Sequence, residues 1–273
     1  MTAAGSGDRE IFELIASEER RQANNIELIP SENYTYPEVM AALGSVLTNK
    51  YSEGYPGRRY YGGQQNMDAI ENIARKRACD LFRAEHANVQ PLSGSPMNQA
   101  IYFGVLEPGD RILAMDLSHG GHLTHGAPVS HMAKVFDFQR YRSRAGTGDI
   151  DFEELRALAL RLRPRMILCG YSSYPRELDY GAFRRIADEV DAIAVADVSH
   201  IGGLIGGAPT GMKIRKSPAP RRRFLFRTFT IAVASWSGQD EKTCTAYHNR
   251  GDCVRSDLGR SLVHLRHQHR YAL

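Results

Sequence analysis

The feature that most constrains this chain is an alternation of apolar and amphipathic runs from residue 86 to residue 207. HANVQPL (86–92) reads as a strand and SPMNQAIYFGVL (95–106) as a helix, followed by the turn EPGD (107–110). RILAMD (111–116) and KVFDF (134–138) read as strands, DFEELRALALRL (151–162) as a helix and PRMILCG (164–170) as a strand. DYGAFRRIADEV (179–190) is again helical, and DAIAVADVSH (191–200) is a strand that runs into a loop. Strands that alternate with helices need long crossovers, so they pair in parallel and are covered on both faces. The predicted class is therefore α/β, a mostly parallel sheet flanked by helices.

The segment before residue 86 has a different grain. Residues 8–23 place Ile11, Phe12, Leu14 and Ile15 on one side, which fits an amphipathic helix. Pro37 opens a short helical run at a position where proline is tolerated. Residues 66–83 repeat apolar side chains at helical spacing, from Ile70 to Phe82. Between these lies YSEGYPGRRYYGG (51–63), with four glycines and four tyrosines, a composition that reads as a loop with a purpose.

Composition excludes several classes. In 273 residues, 42% hydrophobic and 24% charged, no apolar run is long enough to cross a membrane. The N-terminus lacks the basic and apolar regions of a secretory signal. Four cysteines without a CxxC pair read as free thiols in a reducing cytoplasm, so a cytoplasmic location is expected. The net charge of +4 divides unevenly: residues 1–207 carry a net −5 and residues 208–273 a net +9. That last stretch is rich in proline and arginine and has no sustained period. It is read as a basic, disordered tail, solvated in the first reading, with nucleic-acid binding through it as the lesser alternative. The expected organisation is an N-terminal helical arm with the aromatic loop (1–65), an α/β domain (66–207) and the tail (208–273).

Four places could carry chemistry. In Ser93-Gly94-Ser95-Pro96, Ser95 makes a good helix cap, Pro96 a good first helical residue, and Gly94 lets a ligand approach the backbone. Free N–H groups at such a helix start suit a phosphate. Asp197 ends the apolar strand AIAVAD, where ligands of open α/β sheets gather. Its carboxylate could hold a cationic ring nitrogen, or simply cap the next turn. His119, His122 and His125 fall within seven residues, but two glycines and the lack of a neighbouring acid argue against a metal, and none is expected. Glu53 lies among the aromatics of the loop, a setting for an acid–base carboxylate.

Together and in this order, these segments resemble the serine hydroxymethyltransferase (glycine hydroxymethyltransferase) family. The resemblance is carried by ELIPSENY (27–34), LTNKYSEGYPGRRYYGG (47–63), NVQPLSGSPMNQA (88–100), LSHGGHLTHGAPVS (117–130) and VADVSHIGGLIGG (195–207). It covers nearly all of residues 10–207 and is expected to stop there. It implies a fold-type I pyridoxal-phosphate enzyme, its large domain incomplete here through truncation or a frameshift. It also implies a homodimer with shared sites, and transfer of a one-carbon unit from serine to tetrahydrofolate with release of glycine.

By that resemblance, Ser93, Gly94 and Ser95 would hold the cofactor phosphate, His122 would stack on the ring, and Asp197 would pair with the ring nitrogen. Ser172 and His200 would lie near the ring's phenolic oxygen. Glu53 would be the acid–base group, Ser31 would contact the substrate amino acid, and Tyr51 and Tyr61 would reach the partner's site. Leu117, Gly121, His122 and Leu123 resemble the folate-binding positions. One departure stands out. The family's covalent lysine sits in a TTTTHKT-type motif about thirty residues past the aspartate. Here FLFRTFT (224–230) stands near that position, and Arg227 cannot serve as an amine nucleophile. Lys213, Lys216 and Lys242 fall out of context. Little or no transferase activity is therefore expected, with a non-catalytic cofactor-binding or heterodimerising fragment as the alternative.

Overall fold

A computed structural model describes residues 8–29 and 31–207, and the backbone of 224–228 and 231–235. The chain divides after Tyr51 into an N-terminal unit and a larger α/β unit.

The N-terminal unit holds α1 (Arg9–Asn24), α2 (Pro37–Leu43) and a 3-10 turn (Val46–Asn49). Asp8 caps α1, its carboxylate accepting from the N–H groups of Glu10 and Ile11. The apolar stripe read from the sequence is present on α1, but Ile11, Phe12, Leu14 and Ile15 are all exposed. Pro37 begins α2 as expected, and the helix is shorter than its pattern because the chain turns at Gly44.

The α/β unit opens with the aromatic loop, which folds into a small hairpin of β1 (Gly54–Tyr55) and β2 (Arg58–Arg59). The helix α3 (Gln65–Phe82) follows. The division after Tyr51 groups the loop with the α/β unit. Arg59 explains this. Its buried guanidinium donates to Asp68 Oδ1 (2.8 Å) and Glu71 Oε2 (2.7 Å) on α3, and to the carbonyls of Ser52 and Gly54. Gln90 adds bonds to the Gly54 carbonyl and to Glu71.

The remaining elements are β3 (His86–Asn88), α4 (Gly94–Val105), β4 (Arg111–Met115), β5 (Asp137–Tyr141), α5 (Phe152–Leu162), β6 (Met166–Gly170), α6 (Tyr180–Glu189), β7 (Ile193–Asp197) and α7 (Gly202–Gly207), with strands β8 (Phe224–Thr228) and β9 (Ile231–Ser235). The sheet order is β3-β9-β8-β7-β6-β4-β5. From β8 to β5 every pairing is parallel, while β9 runs antiparallel to both β8 and β3. The mostly parallel sheet is thus as predicted. The tail reading changes at two places, since 224–228 and 231–235 are strands of this sheet. FLFRT and IAVAS are too short to show a period, yet FLFRT pairs with β7, and IAVAS lies between β8 and β3. The rest of that reading, with Lys213, Lys216 and Lys242, lies outside the described residues.

Alternate residues of each strand serve opposite faces, and this partitions the core. Leu113, Met115, Ile167, Cys169, Ala194 and Ala196 face α5 and α6, where they meet Leu155, Ala159, Phe183, Ile186 and Ala187. Phe183 packs edge-on to Phe152 at 5.3 Å and tilted on Tyr141 at 5.5 Å. Ile112, Ala114, Met166, Leu168 and Val195 face the other way, onto Met97, Ile101 and Tyr102 of α4 and onto Phe136 and Phe138. All five residues of β6 are buried, as the central strand of a sheet covered on both sides must be. Cys169 lies in that core, and burial pushes its thiol pKa up, which makes it inert rather than reactive.

Candidate functional site

The carboxyl ends of the parallel strands collect the polar groups that the two apolar layers exclude. Asp197 is the last residue of β7 and is 5% exposed. Its Oδ1 accepts from Ser199 Oγ (2.6 Å) and the Ser199 N–H (3.2 Å), so it does cap the turn after the strand. Its Oδ2 accepts from His125 Nε2 (3.1 Å) and Asn98 Nδ2 (3.2 Å). The His125 tautomer follows from its other nitrogen: Nδ1 receives the backbone N–H of His122, so the ring proton is on Nε2 and points at the carboxylate. The capping reading of Asp197 is thus met by one oxygen, while the other faces the interior.

The beginning of α4 is the second element. Ser93, not Ser95, occupies the cap position, and the helix starts at Gly94. Pro96 is tolerated one turn inside because the first four helical N–H groups have no intrahelical partner to lose. Ser93 makes no side-chain cap bond, and its carbonyl accepts from the Met97 N–H. The N–H groups of Gly94 and Ser95 point out of the helix end beside a hydroxyl that is not committed to them, a geometry that favours an oxyanion.

The segment after β4 is the third. Asp116 accepts from the N–H and O–H of Ser118 and from Arg142 Nε (2.9 Å). Burial pushes the Asp116 carboxyl upward, but these bonds outweigh it and hold its pKa below the ordinary carboxylate value. Two 3-10 turns, Leu117–His119 and Leu123–His125, replace a helix because Gly120 between them sits at φ +110°, which a helix forbids. Gly121 is buried so tightly that a Cβ would strike the Met115 and Asp116 carbonyls. Leu117 and Leu123 remain exposed on either side. His122 Nδ1 receives the Thr124 N–H (3.2 Å) and lies 2.8 Å from Thr124 Oγ1. The Ser172 N–H donates to the Gly120 carbonyl at 2.7 Å, which joins the end of β6 to this segment. Each of the three histidines has its own partner, His119 being bonded to Ser143. Among the described residues no group of three or more histidine, cysteine or acidic side chains could hold a metal ion.

A scan against family models decides the ancestry. The serine hydroxymethyltransferase model matches residues 5–219. The chain belongs to the serine hydroxymethyltransferase family. The match continues past Gly207 to residue 219, so the family's sequence runs further than the motifs alone suggested.

Of the expected site residues, one hydrogen-bonded cluster contains His122 and Asp197, with Gly121 and Ser172 on the segments that frame it. Ser93, Gly94 and Ser95 open the helix that carries Asn98 into that cluster. His200 is exposed just past β7. Glu53 and Tyr61 are exposed on the aromatic loop, and Ser31 and Tyr51 belong to the N-terminal unit. Sequence reading missed Asn98, Thr124 and His125. They lie within the very motifs quoted, but only the fold shows that Asn98 and His125 reach Asp197 from 99 and 72 positions away and that Thr124 bonds Asn98.

The residues present fit the phosphate and ring of pyridoxal phosphate. A buried carboxylate held by donors alone suits a protonated ring nitrogen, and an uncommitted helix start suits the phosphate. The β7–β8 register sets Arg227 opposite Asp197. No helix among the described residues is long and apolar enough to cross a membrane.

Proposed function

We propose that this chain binds pyridoxal phosphate noncovalently at the carboxyl ends of β4, β6 and β7. We propose further that it carries the family's serine–glycine interconversion with tetrahydrofolate little or not at all. The observation that supports the binding is the Asp197 carboxylate, buried and held by His125, Asn98 and Ser199. When bound, pyridoxal phosphate supplies an electron sink for carbanion chemistry on an amino acid.

The chain's own residues would act as follows. Asp197 keeps a proton on the ring nitrogen. The imidazole of His122 covers one ring face. Ser93, Gly94 and Ser95 bind the phosphate through hydroxyl and N–H groups, while Ser172 and His200 flank the ring's phenolic oxygen. Glu53 moves a proton at the serine hydroxyl, and Ser31 contacts the amino acid. Leu117, Gly121 and Leu123 border the folate. Tyr51 and Tyr61 serve a homodimer's second site, and the exposed apolar stripe of α1 is in keeping with a second copy as partner. The mismatch is at residue 227. A guanidinium stays protonated at working pH and cannot take the place of a lysine amine.

The test is a titration of the purified chain with pyridoxal phosphate, followed by borohydride treatment and peptide mapping. The expected result is a saturable visible band, no pyridoxyl group on Lys213, Lys216 or Lys242, and affinity lowered roughly tenfold or more by Asp197→Ala. Absence of binding overturns the cofactor reading. A trapped lysine, or serine-to-glycine turnover abolished by Asp197→Ala, overturns the reading of a disabled site.

A further inference from the structure

We infer that Asn98 is a positioning residue that locks the His122 imidazole and the Asp197 carboxylate into one register, with the His122 proton on Nε2. The inference deepens the cofactor site proposed above and rests on that reading for its purpose, though not for its geometry.

Asn98 is completely buried on the first turns of α4. Its Nδ2 amide has two protons, and two acceptors lie within reach: Thr124 Oγ1 at 2.6 Å and Asp197 Oδ2 at 3.2 Å. The opposite amide orientation would set a carbonyl oxygen against the Asp197 carboxylate, so the nitrogen faces these groups. The Asn98 Oδ1 atom, by contrast, is buried with no hydrogen-bond partner among the described residues. A fully buried amide normally satisfies both ends. Here the fold leaves the carbonyl unmet to keep both N–H bonds, which marks those bonds as the purpose of the residue.

Proton order then follows along the chain of bonds. Thr124 Oγ1 accepts from Asn98, so its single proton is directed to its other neighbour, His122 Nδ1, at 2.8 Å. That nitrogen already receives the Thr124 backbone N–H. It is therefore an acceptor, and the neutral imidazole has its proton on Nε2. Thr124 is itself pinned, its carbonyl accepting from the phenol of the wholly buried Tyr102 at 2.9 Å. Four residues before Asn98, the same helix starts at Gly94. One helix thus sets the phosphate end, the ring-nitrogen carboxylate and the stacking imidazole relative to each other, Asn98 bonding Asp197 directly and reaching the imidazole through Thr124.

The test reads tautomers directly, by nitrogen-15 correlation spectra of the histidine side chains in the full chain without cofactor. The expected result is a neutral His122 protonated at Nε2 with an unprotonated Nδ1. A His122 protonated at Nδ1 overturns the inference without any variant being made. In Asn98→Leu an apolar group of similar volume replaces the amide, so Thr124 Oγ1 loses the donor that orders its hydroxyl toward His122. The His122 tautomer ratio should then move roughly fivefold toward the Nδ1-protonated form, the loss expected for one hydrogen bond. The His125 Nδ1, which receives the His122 backbone N–H, should stay unprotonated and report that the fold is retained. An unchanged His122 ratio in Asn98→Leu overturns the positioning role. With pyridoxal phosphate added, the circular dichroism of the bound chromophore should fall in Asn98→Leu, and Asn98→Gln, which restores the amide, should recover part of it. Failure of the cofactor to bind the unmodified chain would refute the proposed function while leaving the tautomer readout intact.

Discussion

Replacing Asp197 with asparagine tests whether the site is organised around a negative charge. If the carboxylate were merely buried and unpaired, removing its charge would relieve a desolvation penalty and stabilise the chain. The structure predicts the reverse sign. The carboxylate accepts from His125, from Asn98 and from both the hydroxyl and the N–H of Ser199. An asparagine amide must turn its NH2 toward one of two pairs. On the inner side it meets the His125 Nε2–H and the Asn98 N–H. Neither can become an acceptor without breaking the bond to the His122 N–H or to Thr124. On the outer side it meets Ser199, whose hydroxyl can reverse but whose backbone N–H cannot. The cheaper orientation therefore leaves one buried N–H unpaired, which costs about 1–3 kcal/mol. The surviving bonds also lose their charge assistance.

A net loss near 2 kcal/mol is expected, equivalent to a drop of roughly 1 M in the urea midpoint for a slope of about 2 kcal/mol per molar. Urea unfolding followed by far-ultraviolet circular dichroism measures it. Asp197→Asn should also weaken pyridoxal phosphate binding, whereas Ser199→Ala, which removes one hydroxyl and leaves the inner pair intact, should cost less in both assays. A variant as stable as the parent, or more so, would show that the four bonds do not set the energetics of the cluster.

Three further outcomes are expected. In Gly170→Ala, a residue at φ +120° acquires a Cβ directed at the Asp197 carbonyl; a loss of more than about 1 kcal/mol in urea unfolding should result, and unchanged stability would refute the close β6–β7 approach. In Arg59→Met, Asp68 and Glu71 lose their shared cation and two loop carbonyls lose their donor, so limited proteolysis should cut within residues 52–63 several-fold faster while fragments of the sheet persist; an uncut loop would refute the clamp. Asp116 and Asp137 are both held below their ordinary carboxylate pKa of 3.8, the latter chiefly by its bond from Arg111. Their contribution is complete above that unfolded-state value and is lost as pH falls through the lower folded-state values, so the urea midpoint should drop below about pH 4 and Asp116→Asn should drop less; parallel curves would refute the assignment.

The legible part of this molecule is what local physics dictates. Each strand of β4, β6 and β7 was readable because a doubly covered parallel strand is apolar throughout, and α3, α5 and α6 because each buries a single face. Asp197 was readable as a site because a lone carboxylate at the end of IAVAD has to be placed where sheets gather ligands. Asn98, Thr124 and His125 were not, since an asparagine inside SPMNQAIYF looks like any polar helix residue until the helix is docked on the sheet. The α4 cap is illegible for a related reason: Ser93 and Ser95 are chemically equal caps, and the extended backbone at Ser93 that makes it the cap is not written in the local sequence. The anchoring of the aromatic loop is illegible for the same reason, because one arginine, Arg59, reaches carboxylates on a helix whose register no local pattern reports. These cases share a cause. Periodicity reports which face of an element is apolar, but a polar cluster forms where several faces meet, and its members announce themselves only through partners distant in the chain. Asn98 shows the consequence most sharply. Its buried, unpaired carbonyl is a local loss that no single motif explains, and it makes sense only once the two N–H bonds on its other side are seen to join residues 124 and 197.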